Sequence, residues 1–234
     1  MTQPPESPHM NAEIWNTFTS DPATGVTLLT VDGEIVFINE QATRIFFNEP
    51  RDPQSLSGKS IRDIGFPDAW VEERMAILQK IANDGQGLLL RTIWHGKQKF
   101  SWMRLIKAEN ESEGDRVLVI TRRIPATEES NALLQGEHEV VHSDFVRLGE
   151  LEVVTPRELE VLALLGQQMS IKEIAAALYR SVKTIENHRE SIGRKLKRTR
   201  GIELAGIAQV AGLVIGDSKR KRVEDIDRSE NPED

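Results

Sequence analysis

Residues 155–196 read TPRELEVLALLGQQMSIKEIAAALYRSVKTIENHRESIGRKL, and the spacing of capping residues in this stretch predicts where its first helix begins. Thr155 is followed by Pro156 and, three residues after Thr155, by Glu158. In a capping box the hydroxyl accepts from the backbone of the glutamate while the carboxylate accepts from the backbone of the hydroxyl residue, and proline is favoured at the first helical position. The first helix is therefore predicted to begin at Pro156.

Two further helix starts follow in the same stretch. Ser170 and Glu173 repeat the capping-box spacing, and Ser181 can cap a third helix. Only Tyr179 and Arg180 separate the second helix from the third. A connection this short fixes the angle between two helices, as a helix-turn-helix requires. The capping pattern alone also fits any small helical bundle.

The third helix has one apolar side and one polar side when successive residues are placed about 100° apart around its axis. The apolar side consists of Val182, Ile185, Ile192 and Leu196, with His188 at its border. The opposite side consists of Lys183, Asn187, Glu190 and Arg194, with Glu186 on its flank. We therefore expect the apolar side to be buried and the polar side to face outward.

The outward side carries the residues that we predict to read DNA bases. Asn187 can form two hydrogen bonds with an adenine edge, and Lys183 can reach a guanine or a phosphate. The base-reading candidates are Lys183, Asn187, Glu186 and Glu190.

The two glutamates have two interpretations. Glu190 precedes Arg194 by four residues and Glu186 precedes Arg189 by three, and ion pairs form at both spacings on a helix. A glutamate can also accept a hydrogen bond from cytosine N4. Both interpretations remain open at this point.

The remaining polar residues of this helix and the turn after it are suited to phosphates, because cations and small neutral donors are the groups that contact the DNA backbone. The predicted backbone contacts are Thr184, His188, Arg189, Arg194, Lys195, Lys197 and Arg198. The alternative is that these residues form an ordinary solvated face. His188 is expected to be a core or phosphate-contacting residue, and no metal site is predicted.

The segments TPRELEVL, KEIA and TIENHRESIGRKL, in this order and spacing, resemble the LuxR-type helix-turn-helix domain over residues 151–215. The resemblance implies an all-α, four-helix domain whose third helix enters the major groove and whose fourth, GIELAGIAQVAGL, dimerises. The dimerisation residues that it implies are Leu204, Ile207, Ala208 and Ala211. The family usually has glycine at Gln168 and near Lys197, so Gln168 is expected to adopt a left-handed backbone at a small cost in strain.

The sequence before this domain predicts an α+β fold. Residues 25–39 contain two β-branched runs around Asp32-Gly33, a strong hairpin signal, and residues 68–84 have apolar residues at helical spacing. Three more strands are predicted before residue 125. The order of these elements, with Asn39 closing the strand GEIVFIN, resembles a PAS sensor domain over residues 12–125. The resemblance implies a five-stranded antiparallel sheet with helices over one face, which binds small molecules or dimerises.

The remaining segments are a linker and two tails. Leu134, Val141 and Leu148 fall seven residues apart, which favours a helical linker over residues 126–150, either as a short coiled coil or as a helix packed on its own domain. Residues 1–11 are rich in proline and residues 216–234 are rich in charge, so both are predicted to be disordered.

Composition narrows the class of protein. The net charge is −7, but residues 155–215 hold ten Lys/Arg against six Asp/Glu, so positive charge is concentrated where phosphate binding is predicted. The chain has no cysteine, no apolar run of the roughly 20 residues that span a membrane, and no catalytic motif. A cytoplasmic protein without membrane association, enzymatic activity or cofactor is therefore expected.

These patterns together predict a sequence-specific DNA-binding transcription regulator, and the LuxR-type resemblance implies that it is bacterial. The expected partners are double-stranded DNA with a pseudo-palindromic site, a second copy of the chain, a small-molecule or protein signal at the PAS-like domain, and RNA polymerase. The alternative is a protein-interaction adaptor with a PAS-like domain and a degenerate helix-turn-helix that no longer reads DNA.

Overall fold

The computed structural model of the chain describes residues 8–108, 114–126, 139–198 and 200–223. The chain divides into two compact units, each assembled from segments that are separated in sequence. The first unit contains residues up to 64, 75–87 and 101–122, and the second contains residues 65–74, 88–100 and those from 123 onward. In the described part of the chain, no helix has the length and apolar character needed to cross a membrane.

In the part of the chain that the structure describes, seven strands form one sheet, in the order β2-β1-β5-β4-β3-β6-β7. The strands are β1 (Thr24–Thr30), β2 (Ile35–Ile38), β3 (Leu88–Trp94), β4 (Lys97–Ile106), β5 (Arg116–Arg123), β6 (Val140–Val146) and β7 (Lys221–Arg222). The prediction of a five-stranded antiparallel sheet is wrong in both respects, because β6 and β7 are added and the sheet is mixed. β6 runs parallel to β3, and β7 runs parallel to β6.

The first unit is organised around the side chain of Asn39. The strands β1 and β2 are antiparallel and Gly33 in their turn has a φ of 85°, which confirms the predicted hairpin. The Asn39 carboxamide oxygen accepts from the backbone N–H groups of Val26 and Ala42, both at 2.9 Å, and its nitrogen donates to the Thr24 carbonyl at 2.9 Å. One buried side chain therefore joins β1 to the start of the following helix.

Four α-helices lie among the described residues of the first half of the chain. They are α1 (Pro8–Thr19), α2 (Glu40–Phe46), α3 (Pro53–Leu56) and α4 (Asp68–Asp84). Helix α4 has the bounds predicted from its apolar spacing. Helix α1 begins at Pro8, so residues 8–11 differ from the predicted disordered tail, whereas residues 1–7 of that tail lie outside the described residues.

Residues 139–150 differ from the predicted helical linker over 126–150, whereas residues 127–138 of that segment lie outside the described residues. Residues Val140–Val146 form β6, paired with β3 from Leu89 opposite Val140 to Ile93 opposite Val146. Of the predicted heptad, Val141 therefore lies in a strand, and Leu134 lies outside the described residues. The backbone donors and acceptors at the edge of β3 need partners, and pairing with β6 satisfies them.

Residues 216–223 differ from the predicted charged tail. A 3-10 helix covers Ile215–Lys219, and β7 follows it. The Val223 N–H donates to the Val146 carbonyl at 2.9 Å, and the Arg222 guanidinium donates to the Glu152 carbonyl at 2.8 Å. The chain after the last predicted helix is thereby held at the edge of the sheet, while residues 224–234 lie outside the described part.

A buried ion pair joins β3 to this C-terminal segment within the second unit. The Arg91 side chain is 2% exposed and donates to the two Asp217 carboxylate oxygens at 2.8 and 2.9 Å. Arg91 also donates to Gln98 Oε1 at 2.6 Å and to the Gly212 carbonyl at 2.7 Å. These four hydrogen bonds offset the cost of removing both charges from water.

Asp217→Ala should lower the free energy of unfolding by about 3–5 kcal/mol, because Arg91 would then be a buried charge without its counterion. Urea denaturation at neutral pH measures this. Lys107→Ala is the matched control, since it removes an ion pair with Asp115 in which the Lys107 side chain is 71% exposed, and it should cost less than about 1 kcal/mol. Equal losses for the two variants would contradict the assignment of a stabilising role to the Arg91–Asp217 pair.

Among the described residues of the second unit, four more α-helices follow, as predicted: α5 (Pro156–Gly166), α6 (Ile171–Ala177), α7 (Val182–Lys195) and α8 (Gly201–Ala211). A 3-10 helix (Gly149–Val153) precedes them. Both predicted capping boxes are present, and the Ser181 hydroxyl accepts from the Thr184 N–H at 3.0 Å. The helices share one apolar core, which includes Leu162, Ile174, Ile185, Ile192 and Leu204.

Helices α5 and α7 each end on a residue in the left-handed region. Gln168 has a φ of 63°, which confirms the left-handed backbone expected where the LuxR-type domain usually has glycine. Lys197 has a φ of 54°. The turns therefore keep the backbone path that glycine would favour, at the cost of strain in these side-chain-bearing residues.

Candidate DNA-binding surface

Helix α7 is held in place by its apolar side. Ile185 and Ile192 are fully buried, and Leu196 packs partly buried against the same core. Val182 was predicted on this side but is 41% exposed. As the first residue of the helix, it directs its side chain toward the N-terminal end, away from the body of the helix.

The outward side of α7 is accessible. Lys183, Asn187, Glu190 and Arg194 are exposed, as are Lys195, Lys197 and Arg198 at the C-terminal end. Thr184, Glu186, His188 and Arg189 are half-buried. Lys183 and Asn187 lie one helical turn apart on the same exposed face, which is the arrangement that reading adjacent bases requires.

The two glutamates of α7 have different surroundings. The Glu186 carboxylate lies 3.7 Å from the Lys183 ammonium and forms an ion pair with it. The sequence had suggested Arg189 as the partner of Glu186. Among the described residues, Glu190 and Arg194 form no ion pair with each other or with a third residue. Glu190 therefore presents its carboxylate to solvent on the outward face.

A basic cavity lies beside α7. Its volume is about 530 Å³, and its lining includes Arg189, Glu190, Arg194, Lys197, Arg198 and the first residue of α8, Gly201. Four of the predicted backbone-contacting residues are therefore collected at one place. Cations that line a concave surface reinforce one another's field, so this surface attracts anions more strongly than scattered cations would.

Lys195, another predicted backbone contact, forms an ion pair with a buried carboxylate. Its ammonium donates to the Glu158 carboxylate at 2.5 Å, and the Glu158 side chain is 5% exposed. The same carboxylate accepts from the Thr155 N–H at 2.8 Å. Burial would raise the pKa of Glu158, but hydrogen bonds from Lys195, Ser191 and Thr155 outweigh it and lower that pKa to about 2.

The stability contributed by ionised Glu158 should be fully present above about pH 4.5 and disappear as the pH falls through about 2, since the carboxyl has its lowered pKa only in the folded state. The shift corresponds to roughly 3 kcal/mol at neutral pH. Urea denaturation of the wild type and Glu158→Gln across this range measures it: the difference in unfolding free energy should shrink with falling pH.

Glu173→Gln is the matched control for this measurement. Glu173 closes the capping box of α6 as Glu158 closes that of α5, but it is exposed and its pKa is lowered by hydrogen bonds within the cap at Ser170. Its substitution should give a much weaker pH dependence. A pH-independent difference for Glu158→Gln would contradict the ion-pair interpretation.

The residues implied for dimerisation lie mostly in the core of their own domain. Leu204, Ala208 and Ala211 are buried and Ile207 is partly buried. A Cβ added at Gly166 of α5 would meet the Ala208 Cβ at 2.7 Å, so these two helices approach closely. The large apolar residues of α8 that remain exposed are Ile202 and Val210, which sequence reasoning did not select.

Tyr179 is another residue that sequence reasoning did not select. It lies in the turn between α6 and α7, and 89% of it is exposed. A signal was present in the sequence, since an aromatic residue in so short a turn has little to pack against.

The comparison with protein families matches part of the predicted helix-turn-helix domain, residues 151–215. Residues 152–208 match the family described as bacterial regulatory proteins, luxR family. These residues are a luxR-family domain. It contains α5, α6, α7 and most of α8, so the basic cavity and the exposed face of α7 both belong to the luxR-family domain.

Several solved structures are similar to the chain. A VqmA–ligand–DNA complex from Vibrio cholerae is 15% identical, covers 87% of this chain and 90% of that chain, and has a TM-score of 0.49. The Vibrio cholerae VqmA dimer without target DNA is 16% identical over 90% and 94%, with a TM-score of 0.44. The PAS domain of an HTR-like protein from Haloarcula marismortui is 19% identical over 50% and 93%, with a TM-score of 0.35. No curated protein matches the sequence.

Proposed function

We propose that the protein is a sequence-specific transcription regulator whose helix α7 enters the major groove of DNA. The proposal rests on two adjoining surfaces. One is the exposed polar face of α7, where Lys183 and Asn187 lie one turn apart, and the other is the cavity lined by four cations. Base edges would be met by the first surface and phosphates by the second. Both belong to a luxR-family domain.

Asn187 supplies the test of base reading. An amide that bonds an adenine edge discriminates by about 1–3 kcal/mol, so Asn187→Ala should lower the affinity for the operator about 10- to 100-fold. The operator is first selected from a random DNA pool, and fluorescence anisotropy then measures binding to it and to random-sequence duplex. Binding to random duplex should be unchanged. An equal loss on both DNAs would contradict base reading by Asn187.

Arg198 supplies the test of phosphate binding at the cavity. Its side chain is exposed, and Arg198→Ala should weaken binding to all sequences alike and reduce the slope of log K against log salt by about one, since one fewer counterion is released. Anisotropy titrations at several salt concentrations give the slope. Lys59→Ala is the control, because it removes one exposed charge in the first unit and should leave the slope unchanged.

We further propose that residues 12–125 act as a PAS-like module that receives a signal, and that the chain works as a dimer. The order strand, strand, helices, long helix and three strands supports the PAS-like module. Two copies would place two α7 helices about one DNA turn apart on a pseudo-palindromic site. Mass spectrometry of the purified protein would reveal a retained ligand, and sedimentation with and without operator would give the number of chains bound.

The alternative, a protein-interaction adaptor that no longer reads DNA, is favoured by one observation, the unpaired Glu190 carboxylate on the outward face of α7. Selection from random DNA pools at two salt concentrations separates the two functions. A regulator enriches one sequence and loses affinity steeply with salt. An adaptor enriches none and shows no steep salt dependence.

A further inference from the structure

Three helices of the luxR-family domain end in the same strained turn. Gln168, Tyr179 and Lys197 have φ values of 63°, 53° and 54°. In the turn after α6, Tyr179 N–H donates to the Ala176 carbonyl at 3.2 Å and Arg180 N–H to the Ala175 carbonyl at 2.9 Å. These are the two bonds of a Schellman motif, whose left-handed position strongly favours glycine.

Packing does not explain why this position holds a tyrosine. Tyr179 is 89% exposed, so its ring gains little from burial to offset the strain of its backbone. The turn is tied to α5, because the Arg157 guanidinium donates to the Leu178 carbonyl at 3.0 Å. Tyr179 is therefore a solvent-exposed aromatic side chain on a turn whose backbone is hydrogen-bonded to α5 and α6.

The position of the turn indicates what the tyrosine meets. Tyr179 lies two residues before Ser181, the N-cap of α7, and the N-terminal end of a recognition helix is the end that contacts base edges. With α7 in the major groove as proposed, the turn before that end would lie at the wall of the groove, where the phosphates are. A tyrosine hydroxyl is one of the neutral donors that bind phosphate oxygens.

We propose that Tyr179 contacts the sugar-phosphate backbone through its phenol hydroxyl, an inference that rests on the proposed DNA-binding function. The backbone strain is then the cost of placing this donor at the groove wall. The contact is independent of base sequence and, because the phenol carries no charge, it releases no counterion.

Glycine substitutions in the three turns test the proposal in the full-length chain. Tyr179→Gly should not lower the melting temperature, and relief of strain should raise it by about 2 °C. It should weaken binding to operator and to random-sequence duplex alike, about three- to tenfold, with an unchanged salt slope. Tyr179→Phe, which keeps the ring, should show the same loss of affinity.

The other two turns are matched controls. Gln168→Gly relieves the same strain at the end of α5 and should leave DNA binding unchanged. Lys197→Gly relieves the backbone strain at the basic cavity and also removes a cation. This variant should therefore weaken DNA binding and reduce the salt slope by about one.

The outcomes separate this inference from the proposed function. Wild-type affinity in Tyr179→Gly, or a melting temperature well below that of the wild type, would overturn the role of Tyr179 while leaving the regulator intact. A wild-type chain that binds no DNA at all would overturn both.

Discussion

The placement of α7 depends on one buried carboxylate. Glu158 closes the cap of α5 by accepting from the Thr155 N–H, and it also receives the Lys195 ammonium near the end of α7. Because the cap and the ion pair share one side chain, the start of α5 and the end of α7 are fixed together. The middle of α7 is held by Ile185 and Ile192. The exposed face is therefore displayed from a helix that is anchored along most of its length.

Local chemistry made much of this domain predictable. Capping boxes depend on residues three apart, so the starts of α5 and α6 could be read directly from the sequence. The left-handed backbone at Gln168 was expected from the resemblance to the LuxR-type domain, which usually has glycine at that helix end. Strands β6 and β7 could not be found like this. Their partner strands are distant in sequence. The spacing of three apolar residues suggested a helix, but the segment Val140–Val146 instead pairs with the edge of β3 as a strand.

In the candidate site, helical geometry was predictable from the sequence, but contacts with other helices were not. Angular position on α7 gave the exposure of Lys183 and Asn187 correctly, since it depends only on helical geometry. It could not show that Lys195 has a buried partner on another helix. In α8, where most residues are apolar, spacing could not decide which side packs, and Leu204, Ala208 and Ala211 face the core of their own domain.

Glu190 connects the exposed face of α7 with the basic cavity, because it borders both. A carboxylate brought among phosphates lowers affinity for any DNA, whatever its sequence. If α7 lies in the groove as proposed, that cost is offset where a cytosine amino group donates to the carboxylate and remains wherever another base stands. On this proposal, the four cations of the cavity would supply affinity without regard to sequence, and Glu190 would remove part of that affinity from incorrect sequences. Selectivity at this position would then come from repulsion of incorrect sites as much as from attraction to the correct one.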